Sequence, residues 1–114
     1  MLSPAQIHNE IERCLSDLEG LVEEIRSAST EQAKADSAYK SAFSQARLTA
    51  RATAIAKVTI DQVEDIAHAQ TSDLRLASTI ATNNLTTLRD VLRATQARLD
   101  GLRTLATSHR VAGG

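Results

Sequence analysis

The sequence predicts an all-α protein: a long antiparallel helical hairpin with an N-terminal helix, coiled-coil-like and oligomeric. Three observations lead there. Apolar residues recur in alternating steps of four and three over most of the chain, the period of a helical seam. Proline occurs once and glycine four times in 114 residues, so few positions interrupt a helix. Tyr39 and Phe43 are the only aromatic residues. Side chains this small fill a globular core poorly, so apolar burial is expected from helix pairing, within the chain and between chains. The length allows one domain at most.

Ser3-Pro4-Ala5-Gln6 is a helix start. Ser3 can cap, Pro4 suits the first helical position, and Gln6 completes a capping box. The seam then runs Ile7, Ile11, Cys14, Leu18, Leu21, Ile25 and Ala28. Cys14 lies on it, which predicts a buried structural thiol. A single cysteine excludes an internal disulfide and fits a reducing compartment. Gly20 lies off the seam and costs helix stability.

Ser27-Ala28-Ser29-Thr30 interrupts the pattern, and Ser29-Thr30-Glu31-Gln32 has the form of a second capping box. Both a turn and a continuous helix are compatible with it. Beyond, Ala38, Ala42, Ala46, Ala50 and Ala54 form a four-residue ladder of small side chains that lets a partner helix approach closely. A helix is predicted from about Thr30 to Ala56. Lys57 and Val58 are the connector. Thr59-Ile60-Asp61-Gln62 is the third capping box, with Asp61 placed for the helix dipole.

The last helix is predicted from Ile60 to about Ser108. Its seam runs Ile60, Val63, Ala67, Gln70, Leu74, Ala77 and Ala81. An extra step of four follows, and then Leu85, Leu88, Leu92, Thr95, Leu99, Leu102 and Ala106. Such a stutter alters the supercoil locally. The short connector makes the two long helices antiparallel neighbours. The organisation is thus an acidic amphipathic helix over 1–29, a hairpin over 30–108 with its turn near 57–59, and a frayed tail over 109–114.

Charge is unevenly placed. Glu10, Glu12, Asp17, Glu19, Glu23 and Glu24 face only Arg13 and Arg26 in the first thirty residues. The rest is mildly basic, a balance that suits self-association or an anionic partner. Arg75, Arg89, Arg103 and Arg110 share one heptad position beside the last seam, with Gln96 in the same row; Glu10, Asp17 and Glu24 share one beside the first. Labelled as e and g positions, such rows pair between parallel helices. Two turns in the chain would make the first and last helices parallel. The pairing is then available inside one subunit or between subunits, and nucleic-acid contact by the Arg row is the alternative.

No acidic residue lies between Asp36 and Asp61, where Lys40, Arg47, Arg51 and Lys57 fall. Lys40, Arg47 and Arg51 project within roughly 40° of one another on a helix, away from the Ala ladder. That stripe suits phosphates, although a solvated helix face has the same composition. Tyr39 and Phe43, four apart beside it, suit either base stacking or packing against each other. These four basic residues are the candidate DNA-binding site.

No catalytic residue, metal site or cofactor is expected. His8, His68 and His109 match no metal spacing. Phosphate-binding glycine loops and nucleophile elbows are absent, so the chain is not expected to be an enzyme. Nothing reads as a signal peptide or a membrane span, and a cytoplasmic location without membrane contact is expected.

The stretch Gln45-Ala46-Arg47-Leu48 carries a family resemblance. From about Ala33 to Gly114 the chain resembles the small helical recombination mediators of bacteriophages, the UvsY type. These carry a basic Lys-Ala-Arg-Leu-type stretch before a hairpin turn and a long C-terminal helix. Arg47 fits the basic position, and Gln45 stands where the family has lysine. The resemblance implies a ring-like homo-oligomer that binds single-stranded DNA. It also implies a mediator that helps replace a single-strand-binding protein with a RecA-type recombinase, in the host cytoplasm if phage-encoded. A structural or adaptor coiled-coil protein without nucleic-acid binding, such as a phage assembly component, fits the same seams. A secreted helical-hairpin partner is a third class, weakened because no Trp-x-Gly stands at the turn.

Overall fold

The computed structural model describes residues 2–53 and 57–113. Among these residues the protein is an all-α antiparallel helical hairpin of three helices: α1 (Pro4–Thr53), α2 (Ile60–Gln70) and α3 (Ser72–Gly113). Two compact units are present. One combines residues 1–27 with 86–114, and the other spans 28–85.

The start of α1 is the predicted capping box. Ser3 N donates to Gln6 Oε1 at 2.8 Å, and Gln6 N donates to Ser3 Oγ at 3.2 Å. The seam from Ile7 to Ala28 is buried or half-buried at every predicted position. In the first unit Cys14 packs with Leu99 and Leu102, flanked by Ile11 and Leu18. Ile7 is buried at one end of this pair, against the groove that Ala106 and His109 line. Residue numbers rise along α1 as they fall along α3, so the pair is antiparallel.

α1 passes through Ser27–Thr30 without a break. The capping signal there is not used, because the burial stripe continues straight across it: Ala28 is buried, and Gln32, Ala35, Tyr39 and Ala42 are half-buried. Packing along a continuous seam outweighs a local cap. Gln32 Nε2 instead donates to Thr82 Oγ1 at 3.5 Å. There is therefore no separate N-terminal helix, and the first and last helical segments are not parallel. Of the alanine ladder, Ala46 and Ala50 are buried and Ala42 half-buried, whereas Ala38 is exposed. Ala54 and the predicted helix end at Ala56 lie outside the described residues.

Lys57, Val58 and Thr59 form the non-helical connector. Thr59 caps α2 through both halves of the box: Gln62 N donates to Thr59 Oγ1 at 3.2 Å, and Thr59 N donates to Gln62 Oε1 at 3.0 Å. The helix expected to run unbroken from Ile60 is interrupted at Thr71. Thr71 donates to Ala67 O twice, from its backbone N–H at 3.1 Å and from Oγ1 at 2.7 Å. Such back-bonding by a β-branched hydroxyl bends a helix.

The seam explains why the break sits there. After Ala67 the buried positions are Thr71, Ser78 and Leu85, not Gln70 and Ala77, both of which are exposed. The extra step of four therefore falls at Ala67–Thr71, several turns earlier than predicted. From Ser78 onward the steps of three and four are regular through His109. That regularity carries α3 to Gly113, so residues 109–113 are helical rather than a frayed tail, with His109 half-buried.

Candidate nucleic-acid interface

The predicted basic site lies at the C-terminal end of α1 and in the connector, within the unit of residues 28–85. Ala46 and Ala50 face the interior there, which turns Arg47 and Arg51 to the flank of the helix. Arg47, Arg51, Ser44 and Leu48 line one shallow recess. Leu48 is 61% exposed. Arg51 is exposed and makes no ion pair among the described residues.

Arg47 is half-buried, and its guanidinium carbon sits 5.8 Å from the centre of the Phe43 ring, a cation–π contact. Its Nε is buried without a hydrogen-bond partner. Phe43 in turn packs on His68 of α2, with ring centres 4.8 Å apart, and on Tyr39 at 6.1 Å. The aromatic pair is thus occupied in packing, as small i, i+4 clusters usually are. His68 is the residue that sequence reasoning missed here. Its place opposite Phe43 follows from the hairpin, which no local signal encodes.

Lys40 does not join the recess. Its Nζ lies 2.9 Å from Asp36 Oδ2, one turn earlier on the same helix. Asp36 bounds the acid-free stretch, and at i, i+4 it reaches back into it. Lys40 is therefore not the unneutralised cation that the stripe implied. Lys57 is exposed in the connector and does not line the recess. Of the four predicted residues, the structure brings two together.

The charge rows are arranged differently from the sequence expectation. Within the unit of residues 1–27 and 86–114, the antiparallel packing sets the Glu10, Asp17 and Glu24 row beside Val91 and Arg98, not beside Arg89, Arg103 and Arg110. Arg98 Nη2 donates to Glu10 Oε2 at 2.6 Å, and Glu10 also pairs with Arg13 at 3.1 Å. The hydrogen bond from Arg98 to Glu10, and then the charge of Glu10, raise the Arg98 guanidinium above the ordinary arginine range.

His8 and His109, far apart in sequence, line one groove with Pro4, Ile7, Ile11 and Ala106. Among the described residues no group of three or more His, Cys, Asp or Glu side chains is placed to hold a metal ion. Among the same residues no helix is long and apolar enough to cross a membrane. No protein family, curated protein or solved structure matches the chain.

Proposed function

We infer that this protein is a recombination mediator: a homo-oligomer that binds single-stranded DNA and helps load a RecA-type recombinase. The observation that carries it is the recess of Ser44, Arg47, Leu48 and Arg51. Two guanidinium groups flank an exposed leucine in a stretch without acidic neighbours beyond Asp36. Guanidinium groups bond phosphate oxygens in pairs, and Leu48 offers an apolar contact for a base or sugar. The resemblance of Gln45-Ala46-Arg47-Leu48 to the UvsY-type mediators supports the same role. Arg51 and Lys57 are the freely accessible cations, and Arg47 anchors the recess through Phe43. Repetition of such a weak site in an oligomer gives avidity that one subunit lacks. Nothing in this role requires a catalytic group or cofactor.

The test is fluorescence anisotropy with a labelled oligo-dT strand at about 50 mM and about 300 mM salt. Binding is expected at the lower salt and should fall steeply at the higher. An Arg47→Ala/Arg51→Ala variant should lose it. Binding that ignores salt, or survives the double substitution, rejects the DNA-binding role.

A structural or adaptor coiled-coil function is the competing role. It is favoured by the Lys40–Asp36 pair and by the aromatic residues being engaged in packing. Absence of binding by the wild-type protein, together with self-association, selects it.

A further inference from the structure

The helix pair formed by residues 1–27 and 86–114 carries an acidic row on one flank, where Arg13 and Arg98 pair with Glu10, and an arginine row on the other. On one, Asp17 and Glu24 line a groove with Gly20, Leu21, Val91 and Thr95. Glu10, seven residues before Asp17, is bonded there to Arg98. On the opposite flank, His8 and Arg110 share a groove. Steps of seven lead from Arg110 to Arg103, Gln96 and Arg89, and from His8 to Leu15 and Val22. Asp17, Glu24, Arg89, Arg103 and Arg110 are all exposed, and none makes an ion pair among the described residues. Each flank also bears large apolar side chains in the open. Leu15 is 38% and Val22 49% exposed on the basic flank, and Val91 and Leu105 are each 44% exposed on the acidic one.

We propose that these flanks are two halves of one interface, and that the basic flank of one copy of this chain docks on the acidic flank of the next. This rests on the homo-oligomeric part of the function inferred above and assigns its contact surface. Copies related by a half-turn about the stacking direction lay α3 of one along α1 of the other in parallel, the orientation that e-to-g pairing requires. Both charge rows repeat every seven residues, so a single register sets Arg103 on Asp17 and Arg110 on Glu24. The same register sets Gln96 opposite Glu10. Gln96 is the uncharged member of its row, and Glu10 is the acid of its row already bonded within the subunit.

In the same register the half-turn also seats Leu105 of one copy between Leu15 and Val22 of the other. Apolar contact supplies the attraction, since exposed ion pairs add little, and the charges fix orientation and register. Gly20 leaves room for an incoming guanidinium, because a Cβ at that position meets nothing within 4 Å. The interface is heterologous. The docked pair still presents one free flank of each sign, and assembly continues past the dimer.

Sedimentation velocity on the full chain over a concentration series tests this. The wild type is expected to form species that grow with concentration. Asp17→Lys/Glu24→Lys and Arg103→Glu/Arg110→Glu should each weaken association at least tenfold while keeping their helical circular dichroism. An equimolar mixture of the two should reassemble, because opposite charges again meet at every contact. A reversed variant that loses its helix is replaced by Asp17→Asn/Glu24→Gln, for which weakened association is expected. Variants that assemble like the wild type, a mixture that stays monomeric, or a wild type that stops at a dimer overturns the flank assignment while leaving self-association intact. A wild type that is monomeric throughout rejects the homo-oligomer and this interface together.

Discussion

The two units of the hairpin use one heptad pattern with different side chains. In residues 1–27 and 86–114 the seam carries Ile7, Ile11, Cys14, Leu18, Leu99 and Leu102. In residues 28–85 the buried positions are mostly small or polar: Ala28, Ala46, Ala50, Ala67, Thr71 and Ser78, with Val63 and Leu85. Burial stabilises in proportion to apolar area. The first unit therefore has more to lose from truncation. The second gains from close approach of backbones and from local devices, the cap at Thr59 and the Arg47–Phe43–His68 stack. Seam chemistry thus separates a stabilising half from a half that presents a basic recess.

The largest effect expected from this contrast is at Leu99. Leu99→Ala should cost about 2–5 kcal/mol, as truncations in packed cores do. Ala46→Gly, in the small-residue seam, should cost about 1 kcal/mol, the helix propensity difference. Urea unfolding followed by circular dichroism compares them, and equal losses would break the contrast. Next is the cap. Thr59→Ala should cost about 1 kcal/mol, with faster amide exchange at the start of α2 than in α1 near Cys14. Uniform exchange along both helices counts against a locally held second unit.

A smaller effect has the opposite sign. Gly20→Ala should stabilise the folded subunit by about 0.5–1 kcal/mol, because the added methyl meets open space. A loss measured on monomeric protein would mean that the groove beside Asp17 is closed. The smallest effect is expected at the exposed Arg98–Glu10 bridge. Arg98→Met should lower the melting temperature at low ionic strength and have little effect at high salt. Its pH dependence has a definite sign. A guanidinium whose value is raised on folding stabilises below its unfolded value and loses that contribution only as pH rises through the raised one. Arginine's share of the bridge is therefore constant across neutral and mildly alkaline pH. A difference between wild type and variant that drifts between neutral and mildly alkaline pH would falsify that assignment.

Much of this was legible in the chain because helix seams are written locally. Ser3–Gln6 and Thr59–Gln62 announce helix starts through side chains three residues apart, and both boxes form. The seam from Ile7 to Ala28 is read directly from spacing. The break at Thr71 was not legible, since Gln70, Leu74 and Ala77 look more apolar or more regular than Thr71 and Ser78. Only burial against α1 selects the latter. The basic stripe was half legible. Arg47 and Arg51 meet in one recess, but Lys40 turns to Asp36, a partner that an inventory of the acid-free stretch places just outside it.

The sequence by itself determined that the protein is helical, that Thr59 caps the start of α2, and which face is buried over Ile7–Ala28 and over Leu85–Ala106. Periodicity and capping are properties of neighbouring residues, and they need no partner to be read. Tertiary structure decided whether Ser27–Thr30 is a turn. It decided which charge rows face one another, and that Phe43 meets His68 rather than solvent. Those outcomes depend on the direction in which one helix returns along another. That direction follows from a single uninterrupted α1, and one residue's choice between cap and helix is too finely balanced locally to reveal it.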